Sequence, residues 1–144
     1  MTDLIPYDPG SLPTKKAPSP GEEILIHLGG LPPAKRRGAS LRNPTHPRYA
    51  SFVALRNAAR EAMNGRAWYF GDIGIELTIY GPKDFGASEL TEFLGGVMDT
   101  LDGSSGRHFT YLPIAYEDDC QVSDARTRSK VADEFEYELK IRFL

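Results

Sequence analysis

The chain lacks the staples and anchors that many small proteins rely on. It has one cysteine, Cys120, so no internal disulfide can form and nothing points to a disulfide-built secreted scaffold. No apolar run approaches the roughly 20 residues needed to cross a bilayer. The opening stretch MTDLIPYDPG has neither the basic nor the apolar region of a signal peptide. A cytoplasmic protein with no membrane partner is expected. Acidic residues are also missing from one long stretch. None lies between Glu23 and Glu61, where Lys35, Arg36, Arg37, Arg42, Arg48, Arg56 and Arg60 give a charge of +7. Residues 61–144 reverse the balance, with 16 acids against 8 bases. Such an asymmetry sets an anion-attracting segment beside an acidic surface suited to a metal or to acid–base work. Two solvated faces that compensate each other would have the same composition.

A length of 144 residues with 40% hydrophobic content is enough for one domain with its own core. Residues 1–23 hold five prolines (Pro6, Pro9, Pro13, Pro18 and Pro20) and few large apolar groups, which predicts a flexible or surface-draped arm. Residues 24–144 form the domain. Ile24–Leu28 reads as a strand ended by Gly29 and Gly30, with His27 inside it as a structural residue rather than a ligand. Residues 31–47 form a basic, proline-punctuated loop. A helix follows over 47–64, with an apolar stripe at Phe52, Leu55, Ala59, Ala62 and Met63. Arg48, Arg56 and Arg60 lie off that stripe, facing either phosphate or water.

Alternation at Ile73, Ile75, Leu77 and Ile79 predicts a half-buried strand. Ser88 is a suitable N-cap for a helix over 89–102, whose Leu90, Phe93, Leu94, Val97, Met98 and Leu101 give the strongest periodicity in the chain. Residues 102–112 read as loop, and Gln121–Val131 as a strand of poor alternation. Phe135, Tyr137, Leu139, Ile141 and Phe143 alternate with charged residues in a strand buried on one face. The order predicts an α+β fold, a mixed sheet with two helices packed on one face.

Acidic residues gather in two places. Glu89, Glu92 and Asp99, with Gly96 between them, share one helix face opposite the apolar stripe. The helix dipole accounts for Glu89 and Glu92 near the N-terminus. Gly95 and Gly96 in mid-helix cost roughly 1 kcal/mol each relative to alanine, which points to a close neighbouring backbone. The second place is Glu117-Asp118-Asp119, able to hold a hard cation through oxygen or to be plain surface.

Val97-Met98-Asp99-Thr100-Leu101, then Tyr116-Glu117-Asp118-Asp119-Cys120-Gln121-Val122, then Arg126 and Lys130, resemble the signature half of the RusA-type Holliday-junction resolvases. The proline-and-basic segment Pro32–Arg37 after the first strand fits the same order. The likeness covers roughly residues 24–144 and is concentrated at 97–126. It implies a RusA-like topology, a homodimer, branched DNA as partner and Mg²⁺ as cofactor. It also implies Glu89 and Asp119 as metal ligands, with Glu92 or Asp118 assisting catalysis. The basic residues Lys35, Arg36, Arg37, Arg42 and Arg48 would contact phosphates. The sequence departs from the pattern where the family has its second helix aspartate and its lysine, for these places hold Thr91 and Gly95. Two functions are therefore open. One is a divergent Mg²⁺-dependent endonuclease. The other is a catalytically decayed module that binds DNA or protein. Without nuclease ancestry, a small self-associating interaction protein would also fit the charge asymmetry.

Overall fold

Strand β6 (Glu136–Phe143) organises the molecule. Its Tyr137, Leu139, Ile141 and Phe143 are all buried, and the charged residues between them face outward, as a period of two requires. It lies between β1 (Glu23–Gly29) and β2 (Ile73–Gly81), antiparallel to both, and β5 (Val122–Val131) extends the sheet on the far side of β2. The β2–β5 pairing is parallel. A parallel pair needs a long crossover, and helix α2 (Ala87–Leu101) lies within it. The structure is a computed structural model that describes residues 13–34, 48–102 and 113–144, with backbone alone at 104–105 and 110–111.

The result is α+β: a four-stranded mixed sheet with helices α1 (Tyr49–Met63) and α2. Ile24 and Ile26 of β1, the four β2 residues Ile73, Ile75, Leu77 and Ile79, and the inward side chains of β6 share one core with Leu55, Ala59, Phe93, Val97 and Leu101 of the helices. The opposite sheet face carries Leu25, Glu76, Thr78, Glu138, Lys140 and Arg142. Among the described residues, no helix is long and apolar enough to cross a membrane.

Residues 13–22 of the predicted arm drape over the surface and are tied down. Thr14 and Lys15 donate to the Gly65 carbonyl at 2.9 and 3.0 Å, and Gly21 donates to the Phe143 carbonyl at 2.7 Å. Residues 1–12 lie outside the described residues. Three local expectations change. Helix α2 begins two residues early, with Gly86 rather than Ser88 as its N-cap. The apolar side of α1 includes Arg56, which is buried and donates to the Thr100 carbonyl. The loop after α2 contains a short β3–β4 ladder (Ser104–Ser105 with Thr110–Tyr111).

Gly96 explains its own presence in a helix. A Cβ added there would overlap the Pro33 carbonyl oxygen and lie 2.8 Å from the Ala34 nitrogen. The close neighbour is thus the chain just after β1. The row Glu89–Glu92–Gly96–Asp99 is therefore not one open face, because Gly96 is buried and Asp99 half-buried.

Candidate metal site

Three carboxylates converge where α2 ends and β5 begins. Asp99 lies in the last turn of α2, Asp102 is its C-cap, and Asp119 opens the short 3-10 turn Asp119–Gln121 that leads into β5. One oxygen from each lies within 4.8 Å of the other two, and all three residues are half-buried. Neighbouring oxygens around an octahedral Mg²⁺ are about 3 Å apart, and around a Ca²⁺ about 3.4 Å. Three carboxylates this close could hold a hard divalent cation once their oxygens draw together.

The position is electrostatically unusual. The C-terminus of a helix carries partial negative charge and favours cations, yet α2 has no base in its last turn and has Asp99 there. Part of the compensation comes from α1. Arg56 is 2% exposed and donates to the Thr100 carbonyl at 3.1 Å, placing a buried guanidinium at the negative end of α2. Beneath the cluster lies Tyr116, fully buried, whose hydroxyl is 3.2 Å from the Met98 carbonyl and 3.5 Å from Asp119 Oδ1. Burial pushes its pKa far up, and the charges of Asp119, Asp102 and Asp99 push the same way. The phenol thus remains a neutral donor.

The loop that presents Asp119 is built by its neighbours. The Asp118 carboxylate accepts from the Cys120 amide at 3.0 Å, which caps the turn. Gln121 Oε1 accepts from the amides of Glu117 and Asp118 at 2.9 and 3.1 Å. Its Nε2 donates to the carbonyls of Tyr69 and Gly71 at 2.7 and 2.9 Å. One side chain thus fixes both the loop and the segment that leads into β2, where Tyr69 bridges to Tyr116. Cys120 is exposed, and the charge of Asp118 raises its pKa, the reverse of what a nucleophilic thiol needs.

The residues singled out from sequence are distributed as follows. Asp119 is in the cluster and Asp118 caps the turn that carries it. Glu89 stands ten residues from Asp99, about 15 Å along the helix, so the cluster is completed by Asp99 and Asp102 and not by Glu89. The Glu89 carboxylate is engaged at the other end of α2, with Lys83 Nζ at 3.1 Å and the Gly86 amide at 3.4 Å. Glu92 is exposed one turn along. Thr91 donates its hydroxyl to the Ala87 carbonyl at 2.8 Å. Arg48 is the N-cap of α1 and half-buried, while Lys35, Arg36, Arg37 and Arg42 lie outside the described residues. His27 is on the outer sheet face, paired with Glu136 at 2.6 Å. Asp102, at the boundary between the predicted helix and loop, is the member of the cluster that the motif does not include. Its signal was available: acids three apart, at 99 and 102, where a helix end disfavours them.

No family model matches the chain, and no curated protein matches it.

Proposed function

We propose that the chain is a RusA-like DNA-binding protein carrying a divalent cation, Mg²⁺ or Mn²⁺, at Asp99, Asp102 and Asp119, and acting as a homodimer on branched DNA. The observation that carries this reading is the approach of three carboxylate oxygens to within 4.8 Å at the Asp-Asp-x-Gln-Val turn. When bound there, the cation supplies a Lewis acid beside a phosphodiester and lowers the pKa of its own water. The chain's residues hold it and shape the approach: Asp119 is presented by the Gln121 clasp, Tyr116 supports it from below, and Arg56 offsets the negative helix end. The basic stretch with Lys35, Arg36, Arg37, Arg42 and Arg48 supplies the phosphate contacts, so binding weakens steeply with salt.

A second reading is a catalytically decayed module that binds DNA or protein without cutting. It is favoured by the N-terminal end of α2, where Glu89 serves as a cap and ion-pair partner and Thr91 is bonded to its own helix.

The test is incubation of labelled four-way and linear DNA with the protein, with and without Mg²⁺ or Mn²⁺. Metal-dependent cutting of the four-way form, lost in Asp119→Asn with binding retained, supports the first reading. Binding without cutting selects the second. Absence of binding at low salt contradicts both as DNA-directed functions.

A further inference from the structure

A cavity of about 200 Å³ opens between the end of β1 and the start of α1, lined by Leu28, Gly29, Gly30, Ala50, Ser51 and Tyr137 among others. Three features meet there. The first is the N-terminus of α1, a helix of 15 residues. Its first internal bond runs from the Phe52 amide to the Arg48 carbonyl, which leaves the amides of Tyr49, Ala50 and Ser51 without intrahelical partners. Among the described residues no side chain caps them, and the first turn has no acid. Most helices satisfy these donors with Ser, Thr, Asp or Asn at the N-cap, but here the position is Arg48. The second is the cavity itself, walled on the β1 side by two glycines that offer backbone and no side chain.

The third feature is Tyr137, which is independent of the helix. It is 1% exposed and lines this cavity. No residue among those described hydrogen-bonds to its hydroxyl, and burial is the one cause that raises its pKa. Phenols this deep ordinarily find a partner. Tyr137 lines this cavity together with the N-terminal turn of α1, the Ser51 hydroxyl and the backbone of Gly29 and Gly30, and Arg48 stands at the helix cap. The first-turn amides, the phenol and the Ser51 hydroxyl can all donate, and Arg48 is positive. The complement is an acceptor with several oxygens and negative charge.

We propose that this cavity binds a phosphate group, held by the first-turn amides of α1 and the hydroxyl of Tyr137. The apolar walls from Leu28 and Ala50 suit the carbon attached to a phosphoester. The phosphate source is either a free phosphate or monoester, or the phosphodiester backbone of DNA. The cation cluster plays no part in the assignment.

The test is an NMR titration of the ¹⁵N-labelled full chain with sodium phosphate, and separately with a short oligodeoxynucleotide lacking terminal phosphates. Saturable shifts at the Tyr49, Ala50 and Ser51 amides are expected with at least one probe. Shifts with the oligonucleotide assign the backbone phosphodiester, and shifts with inorganic phosphate alone assign a free phosphate or monoester. Tyr137→Phe keeps the ring and should weaken binding about tenfold, the worth of a hydrogen bond to a charged group. It should leave the fold at least as stable, since the hydroxyl it removes is unpartnered. Ala50→Glu places a carboxylate in the first turn, so it should abolish binding while raising the melting temperature. No shift at residues 49–51 with either probe, or unchanged affinity in Tyr137→Phe, overturns the proposal.

Discussion

Arg56 in the middle of α1 donates to the Thr100 carbonyl in the last turn of α2 at 3.1 Å, and this bond ties the two helices together beneath the carboxylate cluster. The side chain is buried at 2% exposure, with its guanidinium 5.9 Å from the Phe52 ring centroid. Replacing Arg56 with Met preserves most of the packing and removes the charge-assisted bond, which should cost about 1.5–3 kcal/mol. A urea denaturation midpoint measures it. Under the proposed function, DNA affinity per folded molecule should be unchanged, because the guanidinium faces the interior. A variant of wild-type stability that has lost DNA binding would contradict this placement.

Gln121 should be sensitive out of proportion to its exposure. Gln121→Ala loses four hydrogen bonds, to Glu117, Asp118, Tyr69 and Gly71. At about 1 kcal/mol each and incompletely additive, the loss should be about 2–3 kcal/mol. Gln121→Glu keeps the acceptor but cannot donate to the two carbonyls, and should lie between wild type and alanine. Equal stability of all three would show that the clasp does not hold the turn.

Gly96→Ala sets helix propensity against packing. Alanine gains roughly 1 kcal/mol in a helix interior, yet its Cβ would overlap the Pro33 carbonyl. Displacing the chain after β1 should outweigh the gain, for a net loss of about 1–3 kcal/mol. A stabilised Gly96→Ala, read by thermal denaturation, would mean that this contact is looser than described.

Alkaline pH should unfold the protein through its buried phenols. Tyr116 and Tyr137 both have raised pKa values in the folded state, chiefly from burial. Their unfolded forms ionise near 10, so the unfolded state releases protons first as pH rises. Their contribution is complete below about pH 10 and is lost progressively above it. Urea midpoints at about pH 8 and about pH 11 should show a smaller fall for Tyr116→Phe than for wild type. An identical fall would remove Tyr116 as a cause.

How much the sequence reveals depends on what each residue packs against. Strands β2 and β6 announce themselves because Ile, Leu, Tyr and Phe alternate with charge in elements buried on one face. Helix α2 does so through the spacing of Phe93, Val97 and Leu101. Strand β5 is nearly silent. It is an edge strand whose core-side residues, Ala125, Thr127 and Ser129, are small and partly polar, so the alternation has little hydrophobic contrast. Arg56 misleads because a long side chain can bury its stem and deliver its charge to a helix end, a role that periodicity does not encode. Glu89 misleads in another way. Its helix face matches that of Asp99, but 15 Å of helix rise separates them, and only the topology shows that β5 starts at the far end. Asp102 is legible in part, as a second acid three residues after Asp99 at a helix end that disfavours both, and the topology adds Asp119.

The most direct measurement is the thermal midpoint in about 10 mM Mg²⁺ or Mn²⁺. A site with a Kd of about 1 mM stabilises the native state by about 1.4 kcal/mol, or roughly 4 °C for a chain of this size. The account predicts a rise of that order in wild type and in Glu89→Gln, and its loss in each of Asp99→Asn, Asp102→Asn and Asp119→Asn. A midpoint indifferent to both ions, or a rise that vanishes in Glu89→Gln and survives in Asp119→Asn, would contradict it.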